Sequence, residues 1–239
     1  MSSEQQSTVQ VEFAGEWFDV SRERPFVIGR EGDLAIDDNQ YLHRHFLEVG
    51  FTDRLWWLTN IGSRLSATVS SGEGTVQSWL APGASMPLVF ADYVVVFTAG
   101  PTTYEFAIAI TQPQFEITPT NRRPVGTETV MPLRLNDSQR LLVVALAEPM
   151  LRRDAVGASE LPSNSAVAER LGWTMSKFNR RLDTLCDKLD QMGVQGMRAA
   201  PGKLATHRRA RLVEYAISSR LVSKTDLALL DDESLKAQD

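Results

Sequence analysis

The pattern of hydrophobic and polar residues changes its period near residue 112. Between residues 9 and 111, short runs rich in β-branched and aromatic residues are separated by turn residues, as in PFVIGR, LWWLTN and YVVVFTAG. This arrangement predicts an all-β sandwich of short strands. From residue 133 onward, apolar residues recur every three or four positions, which is the period of an amphipathic helix. We therefore expect an all-β half followed by a helical half.

Capping signals place the helices of the second half. Asn136 and Gln139 have the spacing of a capping box ahead of an apolar run. A short helix predicted at about 164–171 is stopped by Gly172, and Thr174 is expected to cap a longer helix after it. Proline and threonine are frequent between the two halves, as in a linker. The expected organisation is an all-β sandwich at 9–111, a linker at 112–132, an all-α or α+β domain at 133–222 and an acidic tail at 223–239.

Charge follows the same division of the chain. Residues 1–120 hold 6 Lys/Arg and 15 Asp/Glu, whereas residues 130–222 hold 15 Lys/Arg and 9 Asp/Glu. The two parts therefore carry net charges of −9 and +6, although the whole chain carries only −5. A change of sign at the linker suggests that the two halves have different partners.

Composition narrows the class of protein. Of the 239 residues, 43% are hydrophobic and 23% are charged, which is ordinary for a soluble globular protein. The single cysteine, Cys186, rules out an intramolecular disulfide and a thiolate metal cluster, and we expect it to pack rather than react. The start, MSSEQQSTVQ, lacks the features of a signal peptide, and no apolar run has the length of a membrane span. We expect a cytoplasmic protein without a membrane partner.

The helix predicted after Thr174 has one apolar face and a basic flank. Phe178, Leu182 and Leu185 follow one another at steps of four and three, so they share a face. Together with the shorter helix before it and Gly172 in the turn, this helix resembles the winged helix-turn-helix regulators. In such regulators the second helix of the motif enters the DNA major groove. The resemblance covers roughly residues 133–205.

This resemblance implies a DNA-binding face made of basic and amide side chains. The candidate DNA contacts are Lys177, Asn179, Arg180, Arg181 and Lys188 on the long helix, Arg198 and Lys203 in an expected wing, and Arg208 and Arg209 in the helix that follows. An alternative stays open, because Asp183, Asp187 and Asp190 lie on the same long helix and such a helix can pack on protein instead. The acidic tail is either a solvated end or a competitor of DNA for the basic face.

Three motifs of the first half occur in a recognisable order. FVIGR ends at Arg30, LHRHF spans 42–46, and NIGSRLSATV spans 60–69. This order resembles the forkhead-associated (FHA) domain over about residues 9–111. The resemblance implies an eleven-stranded β-sandwich that binds phosphothreonine through its loops. The candidate phosphopeptide contacts are Arg30, His43, Arg44 and Ser63, and the residues expected to brace the loops are Gly29, His45 and Gly62.

The chain departs from the FHA pattern at two positions that contact the ligand. Leu42 stands in place of the phosphate-binding serine, and Leu65 in place of the asparagine that holds the peptide backbone. Leucine cannot donate a hydrogen bond, so a bound phosphate would lose about 1.5–3 kcal/mol at this position. A shift of one residue in the loop would place Arg44 beside Arg30 as compensation. The ligand is therefore phosphothreonine, an unphosphorylated protein, or a segment of this chain itself.

No motif of an enzyme, metal or cofactor site occurs in the sequence. We therefore expect a non-enzymatic signalling or transcription regulator, in which the sandwich docks a protein and the helical half binds DNA. The resemblance places it in a serine/threonine-kinase pathway of the actinobacterial type. The rival interpretation is an adaptor that binds neither phosphopeptide nor DNA and whose helical half docks protein. For Arg30 taken alone, the alternative role is a salt bridge to Asp37 or Asp38. The linker threonines proposed as phosphorylation sites for docking onto the sandwich are Thr118, Thr120, Thr127 and Thr129.

Overall fold

The first half is a β-sandwich of two sheets in the computed structural model, which describes residues 8–71, 76–113, 135–153, 156–197 and 208–232. Its strands within these ranges are β1 (Val9–Phe13), β2 (Glu16–Val20), β3 (Phe26–Gly29), β4 (Leu34–Ala35), β5 (Leu47–Thr52), β6 (Leu55–Asn60), β7 (Ala67–Ser71), β8 (Gln77–Leu80), β9 (Ser85–Leu88), β10 (Asp92–Ala99) and β11 (Thr102–Ile110). One sheet has the order β2-β1-β11-β10-β7-β8, and the other has the order β4-β3-β5-β6-β9. The predicted all-β sandwich is confirmed.

Alternation along the central strands builds the core between the two sheets. In β10, the side chains of Tyr93, Val95 and Phe97 point inward and are buried. The ring of Phe97 packs edge-on against Phe46 and stacks on Tyr104, with centroid separations of 4.7 and 5.1 Å. Phe46 and Tyr104 lie beneath the loops at one end of the sandwich, so this aromatic group supports the surface described below.

Capping residues stand at the starts of the first three helices of the second half. The described helices are α1 (Asp137–Leu151), α2 (Asn164–Arg170), α3 (Met175–Gln191) and α4 (Arg208–Ser218), followed by a 3₁₀ helix at Lys224–Asp231. The capping box of Asn136 and Gln139 is present, with bonds of 2.8 and 3.2 Å. The Lys177 amide donates to the Thr174 hydroxyl ahead of α3, and Gly172 follows α2 with φ at +65°.

The segment predicted as an acidic tail folds in part onto the helical half. Its 3₁₀ helix packs against α1, and Leu230 is fully buried there. Asp231 forms a 3.0 Å ion pair with Arg170 of α2. This part of the segment therefore differs from a solvated tail, because its leucines complete the helical core. Residues 233–239 lie outside the described part of the chain.

The two halves meet along a continuous interface, which we call the seam. A short strand of the second half, β12 (Ala158–Glu160), pairs with β11 and extends the first sheet. Helix α4 packs across the outer face of β10 and β7, so that Val96 belongs to the helical core. Apart from β12, the described elements of the second half are helical. Most of the predicted linker, residues 114–132, lies outside the described part of the chain.

Polar side chains are buried at the seam together with the apolar ones. Arg211 of α4 hydrogen-bonds to Thr68 of β7 and forms a 3.3 Å ion pair with Glu214. Arg153 forms a second ion pair, at 2.9 Å, with Glu105 of β11. Burial raises the pKa of Glu214 to about 7, although the positive charge of Arg211 opposes this effect. The seam therefore contains a carboxyl group that titrates near neutral pH.

Replacing Glu214 by Gln is expected to flatten the pH dependence of stability. The pKa of Glu214 is higher in the folded protein than in the unfolded chain, so the folded state holds this proton more tightly. Stability should therefore fall as the pH rises from about 4.5 to above 7, by up to about 1.4 kcal/mol per pH unit. Urea unfolding across this range measures the difference. Glu169→Gln, an exposed change on α2, is the control, and equal slopes in wild type and Glu214→Gln would contradict the expectation.

Candidate functional site

Three loops meet at one end of the sandwich, next to the ends of β3 and β6 and the start of β5. The Arg30 amide donates to the His43 carbonyl at 2.9 Å, and the Gly62 amide donates to the Phe46 carbonyl at 3.1 Å. These bonds tie the loops to one another. We call the surface formed by residues 30–33, 39–46 and 61–66 the apical surface.

Two glycines let the apical loops approach each other closely. A Cβ atom on Gly29 would overlap the Arg44 carbonyl and would lie 2.9 Å from the His43 carbonyl oxygen. A Cβ atom on Gly62 would lie 3.0 Å from the Phe46 ring and 3.2 Å from His43 Nδ1. A larger residue at either position would therefore push the loops apart.

His43, and not His45, lies between the apical loops. The Ser63 amide donates to His43 Nε2 at 3.1 Å, and the imidazole stacks on Phe46 with centroids 5.8 Å apart. His45 is exposed in a bend, whereas the next residue, Phe46, is fully buried. The bracing contact expected of His45 is therefore made by His43.

The bond from Ser63 determines which nitrogen of His43 carries the proton. Because Nε2 accepts, the proton of the neutral ring is on Nδ1, which is buried without a partner among the described residues. Burial and the nearby charge of Arg64 both lower the pKa of His43. A second proton on the ring would place Nε2–H against the Ser63 N–H, so protonation of His43 would break the hydrogen bond between Ser63 and His43.

The loop ahead of β5 is held from below by a buried tyrosine. Asn39 donates to the Ala99 carbonyl and to the Tyr104 hydroxyl, both at 2.9 Å. The Tyr104 hydroxyl donates to Asp37 at 2.6 Å, and burial raises its pKa to about 12. Leu42 is only 2% exposed and packs in the sandwich core. The position of the expected serine therefore contributes no polar group to the apical surface.

Arg30 stands at the apical surface, and none of the described acidic side chains pairs with it. Its side chain is half-buried and has no ion pair within the described part of the chain. Asp37 and Asp38, its two predicted alternative partners, form no ion pair with it; Asp37 accepts a hydrogen bond from the Tyr104 hydroxyl instead. The Arg30 guanidinium can therefore receive an anion from outside the chain.

Other side chains of the apical surface add charge and apolar area. Arg44 forms a 3.3 Å ion pair with Glu31, but both side chains are more than half exposed, so the pair contributes little. Arg64 is exposed beside His43 and was not singled out from the sequence, although it directly follows the Gly-Ser pair. Tyr41 and Ile61 are exposed at the same end. The surface thus combines cationic and apolar groups.

The second candidate surface is the exposed side of α3. Asn179 and Arg180 are exposed near its start, and Lys177 lies 5.2 Å from the ring centroid of Trp173 in the preceding turn. Arg181 is half-buried, and its Nε has no partner among the described residues. Lys188 is half-buried near the other end of the helix. The two fully exposed candidates, Asn179 and Arg180, therefore lie in the N-terminal part of α3, and in a helix-turn-helix motif it is this part of the second helix that contacts base edges.

Two further candidate DNA contacts have partners within the chain. Arg208 forms a 2.5 Å ion pair with Asp183 of α3. Arg209 donates to Asn164 at 2.5 Å, and burial lowers its pKa. Arg208 thus offsets an acidic charge of α3, and Arg209 holds the start of α2. Arg198 and Lys203 lie outside the described residues.

The described residues offer neither a metal-binding cluster nor a reactive thiol. No group of three or more His, Cys, Asp or Glu side chains in the described ranges is placed to hold a metal ion. Burial raises the pKa of the Cys186 thiol to about 11, so it is protonated at neutral pH and a poor nucleophile. Among the helices described, none combines the length and the apolarity that crossing a bilayer requires.

No protein-family model matches the chain, and no curated protein matches it either. Solved structures that match include three FHA domains. The FHA domain of an Arabidopsis thaliana hypothetical protein is 17% identical, with a TM-score of 0.34, over 44% of this chain and 86% of that one. FHA-1 of Mycobacterium tuberculosis Rv1747 is 12% identical, with a TM-score of 0.34, over 45% of this chain and 99% of that one. The FhaA FHA domain complexed with the intracellular domain of Rv3910 is 18% identical, with a TM-score of 0.29, over 44% of this chain and 99% of that one.

His43 is expected to titrate below about 6.5, the value of a free imidazole, because burial and Arg64 both disfavour its charged form. Since its folded pKa is lowered, its contribution to stability is present above about 6.5 and is lost as the pH falls. An NMR titration of the imidazole and of the Ser63 amide measures both effects in one experiment. The chemical shift of the Ser63 amide should change over the same pH range as that of His43. This titration curve should be the same in His45→Gln. A His43 pKa above 6.5 would contradict the hydrogen bond from the Ser63 amide to His43 Nε2.

Proposed function

We propose that this protein is a non-enzymatic regulator whose sandwich docks a protein partner through an anionic group of that partner. The observation that carries the proposal is the Arg30 guanidinium, which has no acidic partner among the described residues. Arg64 adds a second positive charge at the apical surface, and Ser63 adds a hydroxyl group. A planar guanidinium with several donors matches a phosphate or a carboxylate.

The bracing of the loops favours a site that is formed before the partner arrives. Gly29, Gly62 and His43 hold the loops in contact, so little ordering has to accompany binding. Tyr41 and Ile61 are exposed at the same end and offer apolar contacts. A peptide segment, which presents an anion between other side chains, suits this mixture better than a free anion does.

Phosphothreonine is the ligand that the resemblance to FHA domains favours, in a kinase pathway of the actinobacterial type. The burial of Leu42 removes one donor, so binding would depend on Arg30, Arg64 and Ser63. The missing bond corresponds to about 1.5–3 kcal/mol. A peptide aspartate or glutamate is the competing ligand. With fewer donors at the site, a phosphate gains less binding affinity over a carboxylate.

DNA binding by the helical half is a second candidate function, favoured by the exposed side of α3. Asn179 and Arg180 are side chains that read base edges, and both are exposed near the start of the helix. The ion pair of Arg208 with Asp183 lowers the negative charge of the same helix. The short α2 and the turn at Gly172 precede α3 as in a helix-turn-helix motif.

Arg30→Gln should weaken peptide binding by at least about tenfold, which is the cost of losing one charge-assisted contact. The measurement is fluorescence anisotropy with matched peptides that carry phosphothreonine, aspartate or unmodified threonine. Arg54→Asn is the control, because Arg54 is exposed in the turn between β5 and β6, at the opposite end of β5. Asparagine tolerates the positive φ of that position.

Three outcomes of the peptide experiment are informative. Preference for phosphothreonine with loss in Arg30→Gln supports the full proposal. Equal binding of the aspartate peptide supports docking of an acidic, unphosphorylated segment. Binding that does not depend on Arg30, or no binding to any peptide of a diverse array, would refute docking at the apical surface.

Arg180→Ala should weaken binding of duplex DNA more than Arg208→Ala does, because Arg208 is already paired with Asp183. Anisotropy at two salt concentrations measures the affinity, and its logarithm should fall by about 0.9 per phosphate contacted for each tenfold rise in salt. Arg152→Ala, at the end of α1 and paired with Glu148, controls for the loss of one positive charge. Absence of binding at low salt would favour the adaptor, in which α3 contacts protein.

A further inference from the structure

A pocket of about 240 Å³ opens at the seam, between β8, the turn that follows α3, and α4. Trp79 lines it from the sandwich, and Met192, Gln195, Arg211 and Tyr215 line it from the helical half. Pockets for drug-sized ligands measure roughly 300–1,000 Å³, so this one suits a smaller molecule of about one ring. Its residues belong neither to the apical surface nor to the N-terminal part of α3.

The pocket presents an uncovered aromatic side chain. Trp79 is 42% exposed on the edge strand β8, and Met192 beside it is 37% exposed. An indole face of this kind favours stacking with another planar group. Tyr215 is half-buried on the opposite side, where it contributes a second ring to the lining.

Arg211 supplies the cationic group of the pocket. Its side chain is 11% exposed, and its Nε donates to the Gln195 carbonyl at 2.9 Å. Nη1 donates to Thr68 and Glu214, while no hydrogen bond within the described part of the chain uses Nη2. The guanidinium carbon lies 5.9 Å from the ring centroid of Trp79. A fixed donor and an aromatic face therefore stand next to each other.

We propose that this pocket binds a small planar aromatic carboxylate, whose ring stacks on Trp79 and whose carboxylate accepts a hydrogen bond from Arg211. The ring matches the indole, and the negative charge matches the guanidinium. Such a ligand contacts β8 of the sandwich and α4 of the helical half at the same time. Its binding therefore stabilises the seam by mass action.

Glu214 gives this binding a dependence on pH. It is the acid that pairs with Arg211, and burial raises its pKa to about 7. Thr98 of β10 is its other hydrogen-bonding neighbour across the seam, and Arg211 is the charged group that acts on it within the described residues. A bound carboxylate would replace Glu214 as the counter-charge, so Glu214 would take up a proton. Affinity should then fall by about tenfold between pH 6 and pH 8.

Benzoate is the probe, and NMR of the full-length protein is the measurement. The backbone amide of Gln195, which lines the pocket, should shift and saturate on addition of benzoate. The dissociation constant should rise by about tenfold in Trp79→Ala and by a similar factor for benzamide, which keeps the ring but lacks the charge. Trp17→Ala removes another exposed tryptophan, on β2, and should leave the affinity unchanged.

Trp79 is the residue to change because it is exposed, whereas loss of Arg211 would also disturb the seam. Unchanged Gln195 signals at the highest benzoate concentration, or equal affinity in wild type and Trp79→Ala, would overturn the site. Equal affinity for benzoate and benzamide would overturn the role of Arg211. Equal affinity at pH 6 and pH 8 would overturn the exchange of counter-charge with Glu214.

Discussion

The outer face of β10 is the surface on which both halves of the structure depend. Val96 points away from the core of the sandwich, yet it is fully buried, because the helical half covers it. Thr98 on the same face and Thr68 on β7 are buried with it. Burial of an apolar side chain such as valine is worth roughly 1.5–3 kcal/mol, and β12 adds strand pairing to β11. The sandwich and the helices therefore complete each other's cores.

The orientation of α4 on the sheet is fixed by the polar groups of the seam rather than by its apolar ones. A buried ion pair gains little net free energy, because both charges lose their hydration. Its hydrogen bonds nevertheless constrain geometry, since Arg211 must reach Thr68 while Glu214 faces Thr98. These contacts determine how α4 crosses the sheet. Because α3 packs with α1 in the same helical core, the exposed side of α3 is carried in a defined position on the sandwich.

Local rules explain why the elements could be predicted from the sequence. A capping residue such as Asn136 or Thr174 acts within about four positions, and alternation in a strand requires only its own residues. The run YVVVFTAG breaks this alternation, because β10 is covered on both faces. That signal indicates a second covering layer but does not say which segment supplies it. The sequence therefore predicts β10 as a strand buried on both faces, but it does not predict that α4 covers its outer face.

Functional side chains depend on contacts between residues that are distant in the chain. His43 and His45 are two residues apart in the sequence, and only the folded structure shows that His43 accepts from Ser63 and stacks on Phe46. Arg208 and Arg209 are adjacent, yet successive helical residues point about 100° apart, so they have different partners. A run of basic residues is therefore not one basic surface. Arg208 neutralises Asp183 within the chain, whereas Arg180 stays exposed at the start of α3.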